Sequence, residues 1–319
     1  MLSALESVLS IILAIAAGFA LAKRGWFGPG ADELIPKLVV GLALPAYMVS
    51  NLMGGYDREK LIAMLPGLPL PFAVMLASYA LGKGLAALCR MRPERRGTFA
   101  SMFALSNTIF VGLPVNILLF GERSLPYVLL YYIANTSLFW TIGVYGIAAD
   151  GARASGAPGP RLLSAASLRR ILSPPLTAFL ASAALIMLGI GLPAFLLGFC
   201  KCLGSMTTPL SMLFIGIVIA RVDWKRTRMS LDLWLVLAGR FLVAPALLLG
   251  LVLALGSGLP PLMKEVFFVQ ASMPAMTQTP ILAKAYGADL EFAGLGTALS
   301  TVACLATIPI CMLLVPLLF

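Results

Sequence analysis

Histidine is absent from the 319-residue chain, and acids are few: 13 aspartates and glutamates against 23 lysines and arginines. Without histidine there is no imidazole general base, no HExxH zinc motif and no histidine-ligated haem attachment. Charge of either sign is scarce, at 11% of residues where soluble domains carry about 25%. With 60% hydrophobic residues and a mean hydropathy of +0.98, the composition is that of an integral membrane protein. The net charge of +10 does not point to nucleic acid, because the basic residues are scattered through short loops between apolar runs, as a membrane topology signal is. Cysteine is sparse: Cys89, Cys200, Cys202, Cys304 and Cys311 lie in or at the ends of apolar runs. They read as buried thiols, and neither a disulfide framework nor a metal site is implied.

What is present is a series of apolar runs. A spanning helix needs about 20 mostly apolar residues, and ten stretches qualify: 5–22, 34–53, 64–89, 98–120, 124–148, 172–191, 195–219, 233–255, 265–286 and 291–318. The first could pass for a signal peptide, but Glu6 precedes it and Lys23 and Arg24 follow it, which reverses a signal peptide's charge order. It is read as a retained span. The longest polar, Gly/Pro/Ser-rich interruption, 150–171, separates a first half, 1–149, from a second, 172–319.

Orientation follows the basic loop residues. One side collects Lys23, Arg24, Arg90, Arg92, Arg95, Arg96, Arg153, Arg161, Arg169, Arg170, Arg221, Lys225, Arg226, Arg228 and Lys284, whereas the other has only Arg58, Lys60, Arg123 and Lys264. The expectation is a multi-pass protein of the cell (inner) membrane with both termini outside and the 150–171 linker in the cytoplasm. Five spans per half make the second half enter the membrane the opposite way round, so related halves would form an inverted repeat, common in secondary transporters. Pro45-Ala-Tyr-Met48 in the second span echoes Pro209-Leu-Ser-Met212 in the seventh. The expected fold is therefore all-α: ten transmembrane helices as two inverted five-helix repeats.

Two spans look broken. Phe268–Gly287 carries Pro274 and Pro280 amid Gln270, Ser272, Thr277, Gln278 and Thr279; Ser106–Gly121 carries Pro114 amid Asn107 and Asn116. A proline inside a helix removes a hydrogen bond and costs about 3 kcal/mol or more, and in hydrocarbon each freed backbone group needs a partner. The polar clusters answer that need. Aligning Pro114 with Pro280 also aligns Phe120-Gly121 with Tyr286-Gly287. A helix restarting at mid-membrane presents N–H groups worth about half a positive charge, a ready anion site. The C-terminal ends of the first halves offer carbonyls suited to a cation.

Asn135 lies at mid-depth in the fifth span, suited either to binding or to bonding between helices. Lys83, Lys201 and Arg240 fall within spans, where a central charge costs about 2.5–3.5 kcal/mol and often marks function; all three are near enough to predicted ends to snorkel. No acid lies deep in any span, which disfavours a carboxylate proton relay and favours a substrate that is itself negative.

Asn107-Thr-Ile-Phe-Val-Gly-Leu-Pro114, Ala271-Ser-Met-Pro274, Pro280-Ile-Leu-Ala and Tyr286-Gly-Ala-Asp289, with the ten-span layout and central loop, make the chain resemble the auxin efflux carrier family of membrane transport proteins. The resemblance covers most of the chain. It implies broken fourth and ninth helices crossing at the site, and a moving domain sliding on a scaffold of the first two helices of each half. It also implies cargo such as malate, malonate or an auxin-like acid. Carried onto this chain, the substrate would meet Asn107, Gly112, Pro114, Asn116, Asn135, Ser272, Pro274, Thr277, Gln278 and Pro280. Lys83 is added from the third span, which lacks the acid some plant members place near the crossover.

The leading expectation is a secondary carrier of a small carboxylate, not an enzyme, with no bound cofactor, in the lipid bilayer, alone or as a homodimer. Its coupling ion would be H+ or Na+. The alternative is a sodium-coupled symporter resembling bile acid carriers, with Asn107, Thr108, Ser272, Thr277 and Gln278 as sodium ligands. A channel or receptor also fits, whereas an intramembrane enzyme would want histidine, paired acids or a phosphate-gripping motif.

Overall fold

The computed structural model describes residues 2–28, 30–156, 158, 172–221, 229–255 and 258–319. Most of the expected linker, with Arg161, Arg169 and Arg170, lies outside the described residues, as do Lys225, Arg226 and Arg228.

The described chain is helical, as its apolar runs require. In order it forms α1 (Leu2–Lys23), α2 (Glu33–Gly55), α3 (Arg58–Leu88), α4 (Arg96–Ala104), α5 (Thr108–Phe120) and α6 (Glu122–Ser155). After the linker come α7 (Pro174–Met187), α8 (Ala194–Ala220), α9 (Leu231–Leu255), α10 (Pro261–Ala271), α11 (Gln278–Tyr286) and α12 (Leu290–Leu318). Among the described residues, six of these, α2, α3, α6, α8, α9 and α12, are long and apolar enough to cross a membrane. Helix occupies all ten expected stretches, but the fourth is divided into α4 and α5 and the ninth into α10 and α11.

The helices other than α5, which touches both sets, sort into two groups. In the first, α8 packs along α1 and α2, and α7 joins α2. The α1–α8 contact is so close that a Cβ on Gly216 would meet the Ile15 carbonyl at 2.2 Å and one on Gly18 the Leu213 carbonyl at 2.4 Å; only glycine permits that backbone approach. The second group gathers α3, α4, α6 and α9–α12, in which α3 packs on α4, α6 and α9, and α11 on α12 and the end of α6.

Proline bends these helices in a consistent way. Val39–Ala43, Thr108–Gly112 and Gly239–Val243 are widened π turns, and each ends two residues before a proline, Pro45, Pro114 or Pro245. The N–H groups of Leu44, Gly112 and Ala244 reach back five residues, to Val39, Asn107 and Gly239. A proline cannot donate and crowds the carbonyl four residues back, and the wider turn relieves both. A fourth π turn, Phe139–Gly143, has no such proline.

Candidate functional site

The two breaks meet. The first occupies 105–107, where Leu105 turns to extended backbone, and the second occupies 272–277, between α10 and α11. Ser106 pairs with Ala275 as an antiparallel β-bridge, and the Asn107 N–H donates to the Pro274 carbonyl at 2.8 Å. Each chain thereby satisfies backbone groups freed by the other's interruption, as a buried unwound segment demands.

Side chains from three further helices hold this crossing. Asn135 of α6, fully buried, accepts from the Ser106 N–H at 2.9 Å and donates from Nδ2 to the Ser106 carbonyl at 2.8 Å. On the other strand the Ser300 hydroxyl of α12 accepts from the Ala275 N–H at 3.1 Å. Arg240 of α9, also fully buried, donates from Nε to Met273 O at 2.9 Å, from Nη1 to Ala104 O at 2.8 Å and Phe103 O at 3.4 Å, and from Nη2 to Ala271 O at 2.8 Å. The Phe103, Ala104 and Ala271 carbonyls belong to the ends of α4 and α10, where helices leave acceptors free, and Met273 lies in the second break itself. The snorkelling expected of Arg240 is therefore corrected: the guanidinium points to the crossing, not to the membrane surface. Its signal in the sequence was its place in the turn ahead of Pro245.

The restarting helices open on two cavities. One, of about 90 Å³, is lined by Asn107, Thr108 and Phe110 at the start of α5, by Met276 and Gln278 from the second break, and by Tyr132, Thr136 and Ser173. Asn107 is 2% exposed; its Oδ1 accepts from the Phe110 N–H at 3.1 Å as the helix cap, while its Nδ2 has no protein partner. A buried donor of that kind is costly unless a ligand or water answers it. No carboxylate is among the described residues lining this cavity. The other cavity, about 470 Å³, lies between α8, α11 and α12 and includes Thr277, Pro280, Arg221 and Glu291.

The expected residues divide accordingly. Asn107 and Gln278 share the small cavity, and Thr277 and Pro280 line the larger one. Pro274 takes part in the crossing through its carbonyl. Gly112 is a close-approach glycine, since a Cβ there would lie 2.2 Å from Gln270 Oε1. Asn116 donates to the Gly112 carbonyl at 2.7 Å. Pro114 is buried inside continuous α5, seven residues beyond Asn107, so the break is not at Pro114 itself. Lys83 is half-buried among the charges of Asp150, Arg153 and Arg96 and is in the lining of neither cavity.

Of the expected sodium ligands, Asn107, Thr108 and Gln278 line the small cavity together and the other two do not join them. Thr277 lines a different cavity from Asn107, Thr108 and Gln278, the Ser272 hydroxyl donates to Phe268 O at 2.9 Å, and the group Asn107 leaves unanswered is a donor. Asp150 was not expected to matter. It is fully buried and accepts from the N–H groups of Gly97 at 2.9 Å and Thr98 at 2.6 Å, capping α4.

Comparison with known proteins now decides the family. The membrane transport protein family matches residues 3–312, nearly the whole chain. The chain belongs to that family, which is auxin efflux carrier-like. It is 25% identical to an uncharacterised transporter of Methanothermobacter thermautotrophicus over 313 residues, 96% of each chain. It is 24% identical to an uncharacterised transporter of Methanocaldococcus jannaschii over 299 residues, 90% of this chain and 91% of the other. The protein is thus a multi-pass membrane transporter, and both relatives are named as transporters.

Proposed function

We propose that this family member is a secondary active carrier of a small organic anion, a carboxylate such as malate, malonate or an auxin-like acid, working by elevator-type alternating access. One observation carries the reading: the unanswered Nδ2 of Asn107 sits in a small cavity without acids, where α5 restarts. Donor and helix N-terminus both favour negative charge. A cavity of about 90 Å³ is well below the roughly 300–1,000 Å³ of drug-sized sites, which favours a compact carboxylate over a bulky anion.

In this reading 1–149 and 172–319 are inverted repeats joined by a cytoplasmic 150–171 linker, with both termini outside. The group of α1, α2, α7 and α8 is the scaffold, where a homodimer would form, and the remaining helices carry the crossing as one moving body. Substrate contacts come from Asn107, Thr108 and Gln278, and Thr277 and Pro280 border the route to one surface. Asn135, Ser272, Pro274, Gly112, Pro114 and Asn116 shape the crossing.

The test is counterflow in proteoliposomes with malonate, malate and indole-3-acetate as probes, alongside thermal unfolding of purified protein with each. Saturable exchange and a higher unfolding midpoint are expected with at least one. An unsaturable ohmic current instead would make the protein a channel.

A further inference from the structure

We infer that Arg240 fills the place where a carrier of this geometry would hold a dissociable cation, so that transport here is independent of sodium. The inference rests on the proposed carrier function and concerns its coupling. Two helix C-termini converge on Arg240, and each carries about half a negative charge. Together they amount to about one unit, which one fixed guanidinium balances. Nη1 and Nη2 donate to that pair of ends and Nε to the Met273 carbonyl in the break beside them, at 2.8 to 3.4 Å. Among the described residues no carboxylate forms an ion pair with it. Burying an ion is costly unless partners compensate, and here main-chain carbonyls are the compensation.

An arginine stays charged at any physiological pH, so the carbonyl side of the crossing is neutralised permanently. What remains electrically open is the side of the restarting helices, where Asn107 offers a donor. Of the side-chain oxygens expected to form a separate sodium cage, Asn107 Oδ1 and the Ser272 hydroxyl are engaged and Thr277 lines the other cavity, which leaves Thr108 and Gln278, fewer oxygens than a sodium ion needs. Arg240 is accordingly a positioning residue, which joins the two breaks and biases the site toward anions without lining the 90 Å³ cavity.

The first measurement is thermal unfolding of the purified full chain in sodium chloride and in choline chloride at equal concentration. No sodium-specific shift is expected. A sodium site at a hundredfold excess over its Kd would raise the midpoint by several degrees, and that result would overturn the inference. The second uses Arg240→Ala, which should unfold at lower temperature and be partly restored by methylguanidinium or sodium but not by choline; a variant as stable as the parent would count against the idea. Where the alanine variant does not fold, Arg240→Lys replaces it and should fold without sodium, and a sodium requirement there would likewise overturn the assignment. Finally, malonate counterflow should run at the same rate in both salts. A tenfold acceleration by sodium would remove the inference and leave an anion carrier standing. Absence of counterflow with any carboxylate would remove the carrier reading, while the unfolding measurements would still judge Arg240.

Discussion

The two interruptions share a topology but are fastened unequally. At the first, a single amide, Asn135, grips both the N–H and the carbonyl of Ser106, and α4 leading into it is anchored by Asp150. At the second, one hydroxyl, Ser300, takes the Ala275 N–H, and α10 starts at Pro261 after Pro260 with no side-chain cap. The second also borders the larger cavity, about 470 Å³ against about 90 Å³. Arg240 bonds carbonyls on both sides, so the inequality lies in which side chains hold Ser106 and Ala275: an amide that meets both peptide groups on one side, a hydroxyl that meets one on the other.

That contrast can be broken most forcefully at Asn135. Asn135→Leu leaves two buried backbone groups without partners, at about 1–3 kcal/mol each, so a large fall in the detergent unfolding midpoint is expected; a change no larger than that of Ser300→Ala would erase the distinction between the two sides. Asn107→Asp comes next. The carboxylate keeps the cap to Phe110 but replaces the unanswered donor with a negative charge, so carboxylate binding should drop at least tenfold, with a lower midpoint as well because the new charge is buried without a cation. Binding that survives in the aspartate variant would move the anion elsewhere. Ser300→Ala removes one partner of one N–H and should cost about 1–2 kcal/mol, read as a modest midpoint shift with exchange retained. The smallest effect is expected from Pro280→Ala. Pro280 is the third residue of α11, where an N–H has no intrahelical partner to lose, so stability should change by about 0.5 kcal/mol or less and counterflow should persist.

Much of this arrangement was legible in the residues. Apolar runs mark every helical stretch, and prolines beside clustered amides and hydroxyls mark the two spans that are divided. The position of the first division was harder to read, because Pro114 suggested a break that the π turn at Thr108–Gly112 absorbs. What interrupts the helix lies upstream, where Ser106 exchanges its helical partners for Ala275 on a strand 169 residues away. No local pattern contains that pairing. Asn135 looked equally suited to substrate or to packing, and its bonds go to main chain. Arg240 was misjudged by its distance from a predicted helix end, a measure blind to where the helix faces. Family membership required comparison over 3–312, although the Asn107–Pro114 and Ala271–Pro274 segments already carried the likeness.

The crossing of the two strands is made through peptide groups, Asn107 N–H to Pro274 carbonyl and Ser106 against Ala275. Every residue has a peptide carbonyl and only proline lacks the N–H, and Pro274 takes part through its carbonyl, so the knot at the centre of the molecule is made without side chains at those four positions. If the proposed site holds the cargo, preference can be rewritten in the surrounding wall, at places such as Thr136 or Gln278, without untying what lets the molecule hold its shape.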